Sequence, residues 1–320
     1  MGLIQWLAGF LFGRPNEPIA QEQIDAAFPK RRRVRRLSFE ELCRRLDVSE
    51  ATLKGFRPRY TRFQIPKRAG GSRRIDAPDA ATKKLQRAID KRVFGGVRLH
   101  AAAMAYVRGR SYVHHAALHA DRAVVVSMDL ENFFGSIRRW RVEALARWLG
   151  WDEEAAGRIA DICTLDGRLP QGAPTSPRLA NILSIPMDRR LAGLARSRGA
   201  VYSRYADDLV FSFDADEQDV VHEVVHIAKL IIWESWDLEM EIHHKRKLHI
   251  RRAGWNRQEV CGLVVNDGPP RLPRETRRAL RAMRHRLQNG VGAETTPTQL
   301  AGWESLEEMI QRQGAPKPHD

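Results

Sequence analysis

Two adjacent carboxylates, Asp207 and Asp208, follow Tyr205-Ala206 between two strand-like runs, Ala200 to Tyr205 and Leu209 to Phe213. This pattern sets both acids at a tight hairpin turn. Like charges about 3–4 Å apart do not both stay ionised without a counter-charge, and a pair of divalent ions is the usual one. A third acid belongs to the same reading. Ala123-Val124-Val125-Val126-Ser127-Met128 is a continuous rather than an alternating run, the pattern of a buried strand, and it terminates in Asp129. With that strand beside the hairpin, Asp129 converges on Asp207 and Asp208. Such a trio with two Mg²⁺ ions would activate a primer hydroxyl and stabilise a leaving pyrophosphate in phosphoryl transfer. Each feature alone also has a plainer meaning, Asp129 as a helix cap and Asp207-Asp208 as a turn.

The surrounding residues decide between these readings. After Asp129 comes Leu130-Glu131-Asn132-Phe133-Phe134-Gly135-Ser136-Ile137, and Leu169-Pro170-Gln171-Gly172-Ala173-Pro174-Thr175-Ser176-Pro177 lies between the acidic sites. In order and spacing the chain resembles the reverse transcriptase family. Asp129 with an aromatic five residues on looks like its motif A, Gln171-Gly172 with Ser176-Pro177 like motif B, and Tyr205-Ala206-Asp207-Asp208 like motif C. Ile65-Pro66-Lys67, Gly70-Gly71-Ser72-Arg73-Arg74-Ile75 and Ala77-Pro78 are similar to the fingers motif of bacterial retron reverse transcriptases. Val260-Cys261-Gly262 resembles their Val-Thr-Gly segment, with Cys for Thr. His115-Ala116-Ala117-Leu118-His119 resembles their Asn-Ala-x-x-His segment, with His for Asn. The likeness runs from about Ser38 to Gln288.

The resemblance implies roles residue by residue. Asp129, Asp207 and Asp208 would be the catalytic metal ligands. Lys67 and Arg73 would hold the triphosphate of the incoming nucleotide, with Arg74 as the adjacent alternative, and Gln171 would contact that nucleotide, with Gly172 permitting close backbone approach. Phe134 would be the aromatic gate below the ribose; a core phenylalanine beside Phe133 is the other reading. Leu238 to Ile250 looks like motif D, in which Lys247, or Lys245 in its place, would protonate pyrophosphate. The implied activity is RNA-templated DNA synthesis with two Mg²⁺ ions, a structured noncoding RNA as template and primer, dNTPs as substrates and an RNA–DNA duplex as product. The retron likeness further implies priming from a guanosine 2′-hydroxyl, a branched product, antiphage defence and an effector protein as partner. Intron-encoded, diversity-generating and abortive-infection enzymes are the alternatives within the class, the intron type disfavoured by length. A catalytically idle RNA-binding scaffold is the alternative outside it.

These residues need a frame to position them. The expected fold is a right-hand α/β (α+β) polymerase with a mixed or antiparallel palm sheet, helical fingers and a short helical thumb. The expected division is 1–36 for an apolar helix, linker and basic run; 37–122 for fingers; 123–267 for palm, with inserted fingers helices at about 140–168; and 268–320 for thumb. Ser38 with Glu41 forms a capping box opening a helix through Leu46, and Ser49 caps the next. Gly70-Gly71 permits a tight turn between a strand carrying Ile65 and Lys67 and one carrying Arg73 and Ile75. Pro174 and Pro177 bracket the start of a helix through Asn181 to Leu194. From Pro273 to Asn289, Arg274, Arg277, Arg278, Arg281 and Arg284 share a face suited to a duplex backbone. Ala279, Leu280, Met283 and Leu287 fall on the opposite one, and Gly290 ends the helix.

Composition agrees with a polyanionic partner. The 320 residues carry 54 Lys plus Arg against 39 Asp plus Glu, a net charge of +15, and Lys30 to Arg36 packs six cations into seven positions. Three scattered cysteines suggest neither a disulfide framework nor a cysteine zinc site, which fits a reducing cytoplasm. Gly2 to Phe12 is apolar but too short to span a bilayer; Leu3, Leu7 and Phe10 or Leu11 share a face, as in a docking helix. His222-Glu223-Val224-Val225-His226 matches the H-E-x-x-H pattern of zinc hydrolases, with Glu239 or Glu241 as the available third ligand. It falls on a helix after the Asp-Asp hairpin, and no clear third-ligand motif follows. His114 and His119 are read as packing or RNA-contacting residues.

Overall fold

A computed structural model describes residues 36–66, 70–235, 248–289 and 296–314. The apolar N-terminal segment, the linker, the basic run as far as Arg35, and Lys67, Glu239, Glu241, Lys245, Lys247 and Gly290 lie outside the described residues. The chain divides into two compact units of interleaved segments. One takes the described residues through His100, Asn132–Met187 and residues 233–235; the other takes Ala101–Glu131, Asp188–Ile232 and the described residues from 248 onward.

The first unit is mostly helical. Helices α1 (Phe39–Leu46) and α2 (Glu50–Gly55) begin where the caps require, the Ser38 and Ser49 hydroxyls accepting from the Glu41 and Thr52 amides. Strands β1 (Tyr60–Pro66) and β2 (Ser72–Pro78) pair antiparallel from Tyr60↔Pro78 to Pro66↔Ser72. The connection is thus five residues long rather than a two-residue turn, and Gly70 and Gly71 take φ of 86° and 80° within it. Helix α3 (Ala80–Arg92) follows on the Asp79 cap. Helices α5 (Arg139–Trp148) and α6 (Glu153–Cys163) pack on one another, and α7 (Ser176–Leu183) completes the unit. The long helix expected after Pro174 breaks at Ser184, and α8 (Ile185–Ser197) starts beyond it. Pro186 has no N–H to offer the Ile182 carbonyl, so the ladder is interrupted there.

The second unit holds a four-stranded antiparallel sheet in the order β4 (Ala200–Tyr205), β5 (Asp208–Phe213), β3 (Val124–Asp129), β6 (Leu248–Arg252). The β-branched run around Val125 is central, and Val124, Val125 and Val126 are fully buried. Helices α4 (Tyr112–Ala117) and α9 (Gln218–Ser235), the short hairpin β7 (Glu259–Val260) and β8 (Leu263–Val264), and helices α10 (Arg274–Gln288) and α11 (Pro297–Gly314) complete the element order. One apolar cluster joins Val125 and Val210 of the sheet to Val113, Val260, Leu263, Leu280 and Ile310.

Candidate active site

Tyr205 pairs with Asp208, leaving Ala206 and Asp207 as a two-residue loop at the tip of β4 and β5. Ala206 takes φ of 58°, a left-handed conformation that costs a non-glycine residue roughly 1–2 kcal/mol. The surroundings hold it there. The fully buried Arg204 guanidinium donates to the Ala206 carbonyl at 2.9 Å and forks onto Asp188 at 2.9 and 2.7 Å. The Tyr202 hydroxyl donates to the same carboxylate at 2.9 Å. From the other side, the Leu130 amide donates to the Asp207 carbonyl at 3.0 Å. The register of β3 on β5 sets Asp129 directly opposite Asp208. Three carboxylates therefore occupy two neighbouring strand ends, as the sequence predicts.

Asp129 is buried. Asp208 is pushed up to about 6, first by burial and then by the Asp207 charge; the Cys261 thiol, 3.8 Å from its Oδ2, opposes this slightly. Cys261 and Gly262 form the turn between β7 and β8 with φ of 48° and 78°, and two positive values are what a tight type I′ hairpin needs. Among the described residues no three acidic, imidazole or thiol side chains close around a metal position. An open half-shell of carboxylates nonetheless fits Mg²⁺-type chemistry, because that ion is bound by one or two carboxylates plus substrate phosphates and waters. The raised Asp208 reflects a partly buried site that holds two carboxylates close together, where a cation would favour their charged forms.

Beneath the hairpin lies a polar layer whose hydroxyl partners the sequence did not reveal, with His119 buried in it. His115 Nδ1 meets Ser203 Oγ at 2.8 Å, Ser203 Oγ meets His119 Nε2 at 2.7 Å, and His119 Nδ1 meets Ser212 Oγ at 2.8 Å. The His115 ring lies 5.8 Å from that of Tyr205, which also meets Tyr112 edge-on at 6.5 Å. Burial, then the Arg204 charge, lowers His115 to about 3. Burial, then His115 and Arg122, holds His119 well below its ordinary range. Both imidazoles thus bind protons more readily in the unfolded chain, so stability is full above pH ~6.5 and falls as pH drops toward 3. Between about pH 7 and pH 5, His115 alone should remove about 2 kcal/mol, and His119 acts in the same direction. Asp208, taking up a proton near pH 6 in the folded state, returns about 1 kcal/mol. Metal-free protein should therefore melt at lower temperature at pH 5 than at pH 7, as thermal denaturation would record. Equal melting temperatures would mean that the imidazoles reach solvent.

The other residues singled out in the sequence fall as follows. Arg73 is exposed on β2 and pairs with no carboxylate among the described residues, whereas Arg74 lies 3.3 Å from Asp76. Phe133 takes the core position at 4% exposure, while Phe134 is only half-buried, their rings 5.4 Å apart. The Gln171 carbonyl accepts from the Asp76 amide at 2.9 Å. Gly172 has φ of 134°, and a Cβ there would stand 2.6 Å from the Asp76 carbonyl oxygen. Its close approach is therefore to β2 itself. On α10, Arg274, Arg277, Arg278 and Arg281 are exposed and Leu280 is buried. Two positions differ from the helical arithmetic. Ala279 is exposed, and Arg284 is half-buried, bonded to Glu304 and Glu307 of α11 at 2.8 and 2.6 Å, because it borders the apolar stripe that α11 covers. His222 and His226 are exposed on α9, and Glu223 forms a two-point ion pair with Arg198 at 2.9 and 2.6 Å, an arrangement that engages the motif's base in a surface pair.

Comparison with known proteins bears on this geometry. The sequence profile described as reverse transcriptase (RNA-dependent DNA polymerase) matches residues 65–249. The retron Mx65 reverse transcriptase of Myxococcus xanthus is 34% identical over 297 residues, covering 85% of this chain and 68% of that protein. The retron Mx162 reverse transcriptase of the same organism is 34% identical, with 79% and 59% covered. The retron Ec86 reverse transcriptase of Escherichia coli is 27% identical, with 78% and 75% covered. Among solved structures, apo telomerase from Candida tropicalis, truncated from its C-terminal domain, aligns over 64% of this chain and 52% of that one, with 15% identity and a TM-score of 0.43.

Proposed function

Since the chain belongs to the retron-type reverse transcriptases, a family of RNA-directed DNA polymerases, we propose that it copies a structured noncoding RNA into a branched RNA–DNA product. The observation that carries the catalytic part is the strand register that faces Asp129 with Asp208 while the clamped loop presents Asp207. These three residues would hold two Mg²⁺ ions. Bound ions would supply the charge that lowers the pKa of a priming hydroxyl and offsets charge on a departing pyrophosphate. Arg204 keeps the Ala206-Asp207 loop in its strained conformation, so the carboxylate needs no rearrangement at the moment of reaction. Arg73 and Lys67 would grip the nucleotide phosphates, Gln171 would contact the nucleotide, and Lys247 would donate the proton that pyrophosphate takes up. Arg274, Arg277, Arg278 and Arg281, exposed on α10, would follow the phosphates of the template–product duplex, with Arg284 holding α11 beside them.

Sequencing nucleic acid that copurifies with the protein tests the retron part of this reading. A DNA joined to an internal RNA guanosine through its 2′-oxygen is the expected species. Only linear DNA, with RNA-templated extension intact, would assign the chain to another branch. Antiphage defence with an effector protein, in the cytoplasm, is the biological setting we attach to this activity. Phage plating on cells carrying the locus, with and without Asp207→Asn, measures it. No described helix is long and apolar enough to cross a membrane.

Phe134, half-buried beside the buried Phe133, would sit below the ribose and exclude a 2′-hydroxyl. Phe134→Ala should then raise ribonucleotide over deoxynucleotide incorporation by roughly 10- to 200-fold, the range that one steric contact commands. An unchanged ratio in an active variant would return Phe134 to a packing role.

A further inference from the structure

Helix α3 presents two unlike faces. Thr82, Leu85, Gln86 and Ile89 are buried, with the Gln86 amide donating to Tyr60 Oη at 2.7 Å and to the Ile162 carbonyl at 2.8 Å. The outward side carries Lys83, Lys84, Arg87 and Lys91, all exposed. Acids that could neutralise them are committed elsewhere. Asp90, the one acid within the helix, is bonded to Arg178 at 2.9 Å, and the capping Asp79 holds the Thr82 amide at 2.8 Å. Several other cations of the same unit are matched with acids: Arg44 and Arg45 with Glu41, Lys54 with Glu50 and Glu154, Arg62 with Asp76 and Asp166, Arg139 with Glu143 and Asp161. Among the described residues no carboxylate forms an ion pair with any of the four on α3. Like charges four residues apart on a helix repel, so this face is electrostatically unfavourable without a polyanion against it.

We propose that the outer face of α3 is a docking surface for the phosphate backbone of a double-stranded stem in the RNA partner, separate from the residues that handle template and nucleotide. Lys83, Arg87 and Lys91 stand at successive four-residue intervals, a line of charge about 12 Å long. Along its axis a nucleic-acid strand presents three to four phosphates over about that length. The contacts are to phosphate, so binding is insensitive to base sequence and sensitive to salt. A lipid surface fits less well, because the apolar side of α3 is already used in the core and the exposed side offers no large apolar group to insert.

This inference rests on the RNA-copying function proposed above, and the two are tested separately. Full-length protein and its Lys83→Gln/Arg87→Gln/Lys91→Gln variant are titrated with an RNA hairpin of about 20 base pairs at several salt concentrations. Extension of oligo(dT) on poly(rA) is measured in parallel. The variant should bind the hairpin at least ~10-fold more weakly, with the slope of log affinity against log salt flatter by about 2–3, close to one unit per lost phosphate contact. Its melting temperature and its oligo(dT) extension should match those of the parent. A Lys83→Arg/Lys91→Arg variant, which keeps the charge, should bind like the parent. Unaltered hairpin affinity and slope in the glutamine variant would overturn the proposal. So would loss of binding to phosphatidylserine vesicles with hairpin affinity retained. A parent protein that binds the hairpin through α3 but fails to extend oligo(dT) would refute the copying function and leave the docking surface standing.

Discussion

Asp207→Asn is expected to lower primer-extension turnover by on the order of 10³-fold or more while leaving the melting temperature of the protein almost unchanged. Metal-assisted stabilisation of the transferred phosphoryl group is worth several kcal/mol, and each 1.36 kcal/mol is about a tenfold change in rate. Asp207 lies in the loop between paired strands, and its backbone carbonyl, which the substitution retains, accepts a hydrogen bond from the Leu130 amide. Asp129→Asn should be as damaging to catalysis, and its burial makes some loss of stability an additional expectation. Burial and the Asp207 charge push Asp208 up to about 6, so the folded protein disfavours its charged form and the neutral Asn there should disturb the fold least. The measurement is steady-state extension on an RNA template together with thermal melting. Parent-like turnover by Asp207→Asn would remove the carboxylate trio from the chemistry.

The second large effect concerns the brace behind the loop. Asp188→Ala should destabilise the protein by about 3–5 kcal/mol, because it strands the fully buried Arg204 guanidinium without its counter-charge. Tyr202 loses its hydroxyl acceptor in the same variant. Replacing the pair together, as Asp188→Leu with Arg204→Met, should recover most of that stability, since an apolar pair of similar volume tolerates burial. Activity should not recover with it. The Ala206 carbonyl would still lack its donor, and the left-handed loop would lose what holds it. Denaturant unfolding and extension assays on the single and double variants separate the two effects. Full activity in the double variant would show that the strands alone fix the loop.

Much of the catalytic strand geometry was legible in the sequence because it follows local rules. The β-branched run before Asp129 and the two apolar runs around Ala206-Asp207 became paired strands within a residue of their expected ends. The Ser38 and Ser49 caps depend on neighbours three residues away and emerged as expected. What supports these elements was not legible. Arg204 on β4 meets Asp188 on α8 through a side-chain ion pair, and no periodicity marks the two as partners. His115 and His119 are four residues apart and share a helix-like spacing, yet their hydroxyl partners come from β4 and β5. The arithmetic on α10 located the buried Leu280 but could not anticipate that α11 would engage Arg284 and leave Ala279 exposed.

Strand β3 is a central strand of its sheet, yet both of its partners are made long after it, β5 ending at Phe213 and β6 at Arg252. The apolar cluster behind Val125 waits longer still, for Leu280 and Ile310. Contacts so distant along the chain are closed late and slowly. A nascent chain leaving the ribosome therefore carries Val124, Val125 and Val126 with no sheet to join, exposed as an adhesive edge that chaperones recognise. Asp129 is translated early but meets Asp208 only once β5 has been synthesised and paired with β3. A nascent chain in which β5 has not yet been made therefore lacks the facing carboxylates.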